Sequence, residues 1–186
     1  MENKKLNIID DNDNIIGTED RKIIHKNGLL HREVHVYFVT PKNEIIFQHR
    51  AKDKETFPDL LDATVGGHVE IGDDYKISAV KETIEETGVS IKISDLIPID
   101  KVHKISKDNV TKKINHTFRQ NYIYIYDGKV KNLKIEVGEG MGFVAYTIKK
   151  LLNLNDTEKS KFIPCVYKFT NVTLIDFINN LNFTKL

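Results

Sequence analysis

The sequence is poor in cysteine, in unbalanced charge and in long apolar runs, and each shortage closes off a class of protein. Cys165 is the one cysteine in 186 residues, so an intramolecular disulfide is excluded and a reducing compartment is implied. Its surroundings, FIPCVYKF, are apolar, as expected of a small buried residue rather than a reactive thiol. Lys and Arg number 28 against 27 Asp and Glu, which leaves no global field to draw nucleic acid or an anionic membrane. No apolar run approaches transmembrane length, and MENKKLNIIDD lacks the apolar centre of a signal peptide. Internal repeats, low-complexity tracts and evident linkers are missing as well. A hydrophobic content of 40% is ordinary for a globular chain and suffices for one sizeable core. These limits describe a soluble cytoplasmic protein of one domain.

What the chain does contain is GGHVEIGDDYKISAVKETIEETGV, Gly66 to Val89. A glycine-rich loop passes into a helix that stops at Gly88. Glu82, Glu85 and Glu86 stand three and four residues apart, so all three project from one side. On a helical wheel that side lies nearly opposite Ile77, Val80 and Ile84, which are expected to pack against a sheet. Like charges at such spacings cost a helix about 0.2–0.5 kcal/mol per pair. They also crowd the last turns, where the helix dipole already disfavours negative charge. The bland alternative is a solvated charged face. A group of hard oxygen ligands in an unfavourable place is also how a Mg²⁺ or Mn²⁺ site looks before the ion arrives.

The rest of the chain reads mainly as strands. Leu6–Ile9 and Ile15–Gly17 flank a polar turn, and a short helix is expected over Arg21–Lys26, ending near Gly28. Residues 34–39 and 44–48 are β-rich runs joined by a turn, and Thr64-Val65 enters the glycines. After the central helix, Val89–Ile93 reads as extended, and strands follow over 97–105 and 117–126. In the second of these, Tyr122, Tyr124 and Tyr126 alternate with Ile123 and Ile125, giving one aromatic and one aliphatic face. A strand over Leu133–Val137 leads into the bend GEGMG, then Phe143–Ala145. Helices are expected near 147–154 and 173–180. A mixed sheet with helices against it is the implied α+β layout.

At Gly67–Val89 the spacing resembles the Nudix box. Gly67 takes the first glycine, Glu82 the glutamate after the box arginine, Glu85 and Glu86 the acidic pair, Gly88 the second glycine and Val89 the last apolar position. Asp73 stands where the family has Glu and Lys81 where it has Arg, both keeping charge but losing bidentate geometry. Thr83 replaces an apolar residue on the flank of the helix. The resemblance implies a Nudix α/β/α sandwich with a mixed sheet, an N-terminal hairpin extension over 1–30 and the domain proper over 31–186. It also implies a hydrolase cleaving the diphosphate of a small-molecule nucleoside diphosphate derivative. Mg²⁺, or Mn²⁺, would be held by Glu82, Glu85, Glu86 and the Gly67 carbonyl. The general base varies within the family, and Glu82, Glu85 and Glu139 are the candidates here.

Over about residues 5–105 the chain is similar to the isopentenyl-diphosphate isomerase-like branch. In true isomerases, histidines near His25 and His31 and the one at His68 bind a metal, and a catalytic cysteine stands where this chain has Gly66. Strand glutamates are expected around 114–118, where this chain reads INHTF. His25, His31, His35 and His68 could form a transition-metal pocket, but missing those partners they read as ordinary hydrogen-bonded residues, and isomerisation becomes an alternative to hydrolysis. A silent nucleotide-binding domain is the third reading. Arg50 and Lys52 are candidates to steer a phosphate, against the alternative of a solvated basic turn. Phe57, Tyr122 and Tyr124 are candidates to stack on a base, although strand aromatics are commonly core. The N-terminal hairpin and the tyrosine-bearing strand are candidate edges for a homodimer.

Overall fold

The structure, a computed structural model, describes residues 4–54, 56–108 and 111–181. Strands β1 (Lys5–Ile9) and β2 (Ile15–Asp20) form an antiparallel hairpin. The Asp10 carboxylate closes its turn by accepting from the Asn12 and Asn14 amides at 2.9 and 2.8 Å. Helix α1 (Arg21–Asn27) starts where Asp20 caps the Lys22 amide and stops at Gly28 in the left-handed region.

Strand β3 (His31–Val39) is the centre of a nine-stranded curled sheet. It runs parallel to β8 (Ile114–Ile125) and antiparallel to β1, β4 (Glu44–Arg50) and β6 (Val65–His68). Beyond these, β4 carries β5 (Leu61–Asp62) and β9 (Gly140–Thr147), and β8 carries β7 (Ile97–Lys107). Alternation along β3 sends Tyr37 and Val39 to one face and Val34, Val36 and Phe38 to the other. The first face meets Phe47, Ile123 and the C-terminal helices α3 (Ile148–Leu152), α5 (Pro164–Phe169) and α6 (Ile175–Asn180). The second meets Ile46, Tyr122 and helix α2 (Tyr75–Thr87) through Ala79. Both faces are covered, which is the helix–sheet–helix layering expected. Full burial of a phenylalanine such as Phe38 or Phe47 contributes roughly 2–3 kcal/mol of transfer free energy.

Several local expectations fail for identifiable reasons. Leu133–Val137 finds no neighbouring strand; a 3₁₀ turn at Val130–Asn132 precedes it and Val137 is fully exposed. Val89–Ile93 likewise joins no ladder and leads into a 3₁₀ turn at Ile93–Asp95. The C-terminal helical run starts earlier than the pattern suggests, at Pro164, where a missing amide proton costs nothing. Its turns continue through a π segment at Thr170–Leu174 into α6, and the short α4 (Asp156–Lys159) precedes it.

The largest correction concerns α2. Ile77 and Ile84, expected to face the sheet, are 37% and 43% exposed. The buried face is Ser78, Ala79, Thr83, Glu86 and Thr87. Small residues allow α2 to lie close to the sheet, and Thr83 is fully buried rather than flanking, its hydroxyl donating to the Ala79 carbonyl at 2.7 Å. The helix is therefore rotated so that Glu86 points inward.

Candidate active site

Helix α2 begins at Asp74, whose carboxylate caps the Ile77 amide at 2.8 Å, and ends at Gly88 with φ 68°. Ahead of it, β6 brings Gly66 and Gly67 beside β3. A Cβ at Gly67 would stand 2.1 Å from Cδ of Glu82, so the glycine leaves the space that the Glu82 side chain fills. One turn further, Glu86 is 4% exposed. It accepts from the Gln48 side-chain amide at 3.2 Å and from the Gly66 backbone amide at 3.3 Å. Burial pushes the Glu82 carboxyl up to about 7, with Glu85 adding repulsion. Burial raises Glu86 well above the ordinary range, and Glu82 and Glu139 push in the same direction. Glu85 is exposed at the rim of the same cleft.

This cleft encloses about 550 Å³ and is lined by all three glutamates. Glu139 and Glu136 border it from the segment before β9, and Glu139 pairs with Lys54. Lys54, not the exposed Lys52, is thus the loop lysine on the cleft. Arg50 lines it too, but is tied to Asp62 at 3.1 Å and to the carbonyls of Thr56 and Phe57. The N-terminal segment adds Lys4, Arg21 and His25. Asp73 and Lys81, the two departures from the box, pair with each other at 2.7 Å, so one charge interaction brackets the loop and the helix. Phe57 lines the cleft, whereas Tyr122 and Tyr124 sit in the core beneath α2.

The histidines do not behave as scattered hydrogen-bonded residues. His25, His31 and His68 place one ligand nitrogen each within 4.8 Å of the others, with ring centroids 5.1–5.2 Å apart. Nδ1 of His31 lies 2.9 Å from the Leu29 carbonyl, which makes it the donor and leaves Nε2 as a lone pair. Among the described residues, Nε2 of His31 and of His68 are buried without a partner. Burial lowers His25 to about 4, lowers His31, and sets His68 well below its usual value. Three neutral imidazoles with inward lone pairs suit a transition-metal ion. His35 stands apart from them, against Gly66.

Next to the histidines, Glu33 and Arg119 form a buried pair across the parallel β3–β8 ladder. Glu33 Oε2 accepts from Arg119 Nε at 2.8 Å and from Nη2 at 2.7 Å. Burial opposes the charge on Glu33, but the guanidinium holds its carboxyl well below the usual range. Cys165, about a hundred residues from the glycines in sequence, lines the same cleft, and its Sγ lies 3.9 Å from Arg119 Nη1. The position of Gly66 has no thiol, yet the site as a whole does. Sequence reasoning also missed Glu33, Arg119, Arg21, Lys54 and Glu136. Glu33, the one acid in a strand buried along nearly all its length, was the available signal, since a buried charge requires a partner.

The fold and this loop–helix site define a Nudix-type α+β sandwich. The chain belongs to that family: the NUDIX domain matches residues 29–164. It is 29% identical over 161 residues to a Nudix hydrolase of Clostridium acetobutylicum, covering 85% of this chain and 77% of that one. It is also 27% identical over 124 residues to an isopentenyl-diphosphate Delta-isomerase of Serratia proteamaculans, covering 67% of each. Nudix relatives from Streptomyces coelicolor and Yersinia pestis align over 47% of their own length. A crystal structure from Deinococcus radiodurans shares the fold at a TM-score of 0.63 and 21% identity, covering 80% of this chain and 86% of that one. Among the described residues no helix is long and apolar enough to cross a membrane.

Proposed function

We propose that the protein is a Mg²⁺-dependent hydrolase that cleaves the diphosphate of a nucleoside diphosphate linked to another group. The observation that carries this reading is the seating of Glu82 in the space left by Gly67, with Glu86 buried behind it. A carboxylate buried as Glu86 is, with Glu82 half-buried beside it, is costly unless a metal or a proton joins them. Glu82, Glu85 and Glu86 would hold the ion, with the Gly67 carbonyl as a further ligand by family resemblance. A divalent ion there offsets substrate charge and lowers the pKa of a bound water. Arg21 and Lys54 face the same cleft and would orient the phosphates, Lys54 exchanging Glu139 for a phosphate oxygen. Of the three candidate bases, Glu82 is the one seated inside the cleft, against Gly67. Glu139 is held by Lys54 and Glu85 is exposed.

The test is a chromatographic screen for nucleotide products with Mg²⁺ and Mn²⁺ over nucleotide sugars, ADP-ribose, dinucleoside polyphosphates and nucleoside triphosphates. Glu86→Gln should lower turnover by at least a hundredfold while leaving the circular dichroism spectrum unchanged. Full turnover in that variant would sink the assignment. A second reading, isomerisation of isopentenyl diphosphate, is favoured by the three-histidine cluster and the Serratia relative, and disfavoured by glycine at 66. Formation of an allylic diphosphate would decide for it.

A further inference from the structure

We propose that the inner end of the cleft, past Gly66 and Gly67, is a subsite for an uncharged, hydroxyl-rich group, a sugar, attached to the diphosphate of the substrate. The proposal rests on the hydrolase reading above and adds what the substrate carries. Two adjacent glycines give β6 no side chains at the point where the cleft passes from the carboxylates of α2 to the opposite sheet face. There His35 is the nearest wall: a Cβ on Gly66 would lie 3.2 Å from its Cδ2 and 3.3 Å from its Nε2.

This end presents polar groups whose own hydrogen bonds are incomplete. Arg119 directs Nε and Nη2 to Glu33, leaving Nη1 facing Cys165 Sγ at 3.9 Å. Sulfur is a weak acceptor, so a buried guanidinium offers the cleft a donor that meets no oxygen among the described residues. His35 is 3% exposed and lines the cleft. Its Nδ1 reaches the Tyr37 hydroxyl only at 3.5 Å, and among the described residues Nε2 makes no hydrogen bond. Ile163 and Val166 form an apolar wall beside Cys165.

A ligand must therefore supply an acceptor to Arg119, a donor or acceptor to His35 and a C–H face to Ile163 and Val166. A sugar meets all three, because each hydroxyl both donates and accepts while the ring carbons are apolar. An isoprenyl chain would leave Arg119 Nη1 and His35 Nε2 unpaired in a dry contact. A further anion is also a poor fit, since Glu33 answers Arg119 and Asp62 answers Arg50 in the same wall.

The single cysteine gives the subsite a readout besides turnover, taken before the ligand is consumed. The rate at which Cys165 reacts with a chromogenic disulfide reagent would be measured with Mg²⁺ and, in turn, ADP-ribose, a nucleotide hexose, isopentenyl diphosphate and inorganic pyrophosphate. We expect the two sugar-bearing ligands to slow modification at least tenfold, and pyrophosphate and isopentenyl diphosphate to change it less than twofold. His35→Leu should lose most of the sugar protection, and its unliganded rate shows whether it has folded. Protection by isopentenyl diphosphate equal to that by the sugars would overturn the proposal, as would protection by none of them. Sugar protection without hydrolysis of any diphosphate would retire the hydrolase reading and leave the subsite standing. Hydrolysis of sugar ligands without protection would do the reverse.

Discussion

Gly67 shows how one residue can matter through what it lacks. A methyl group there would overlap Glu82 at 2.1 Å, but the clashing atoms are the end of a flexible side chain. Gly67→Ala should therefore swing Glu82 aside rather than unfold the protein. We expect a loss of stability of about 1 kcal/mol together with a fall in Mg²⁺-dependent turnover of at least tenfold. Urea unfolding and a metal titration on the same variant would check both, and a drop in stability with turnover unchanged would contradict the seating of Glu82.

His35 sets a pH dependence of definite sign. Burial, then the Arg119 charge, lowers it to about 4 from an ordinary 6.5. Above pH 6.5 both folded and unfolded chains hold it neutral. Between 6.5 and 4 the unfolded chain takes up a proton that the folded one refuses, so stability falls across that window. A shift of this size corresponds to roughly 3 kcal/mol at its lower end. Unfolding curves between pH 7.5 and 4.5 should show wild type losing more than His35→Leu; parallel losses would mean that His35 is not held neutral.

At the scale of elements, α2 separates what a pattern can and cannot say. Loop, helix and terminal glycine were legible, because each follows from local chemistry at fixed spacing. The buried face was not. Ile77, Val80 and Ile84 make an apolar stripe, but of these only Val80 packs against the core; the helix is buried through Ala79, Thr83 and Thr87, since a close approach to β6 favours small side chains over large ones. Ile77→Lys and Ile84→Lys should each change stability by no more than about 0.5 kcal/mol, whereas Ala79→Leu should cost about 1–3 kcal/mol. Comparable losses at all three positions would mean the helix is turned the other way. The tyrosine strand illustrates the converse. Its alternation correctly divides Ile123 and Ile125 from Tyr122 and Tyr124, yet both sets are core, because the sheet is covered on both sides.

For the whole molecule, the acidic half of the site could be read from one continuous segment and the other half could not. Glu82, Glu85, Glu86 and Gly67 lie within twenty residues, so spacing alone gathers them. Glu33 and Arg119 meet only because β3 and β8 run parallel in register, and that pairing leaves no trace in either strand's pattern. The three histidines needed α1, β3 and β6 to converge. Cys165 needed a helix whose first turns were not visible as helix. Distance along the chain is a poor guide to what faces a cleft.

The tip of the N-terminal hairpin carries a last consequence. Asp13 bonds Arg32 at 2.6 Å, Lys101 at 2.6 Å and the Tyr75 hydroxyl at 3.0 Å, joining segments 19, 88 and 62 residues away. Such contacts close large loops, and loop-closure entropy must be overcome before they form. The hairpin and α2 can arise locally and early, but the cleft exists only once these distant ends have met. Refolding from urea should therefore regain far-ultraviolet ellipticity before Cys165 acquires its native reactivity. Simultaneous recovery of both signals would mean that assembly of the cleft is not the late step.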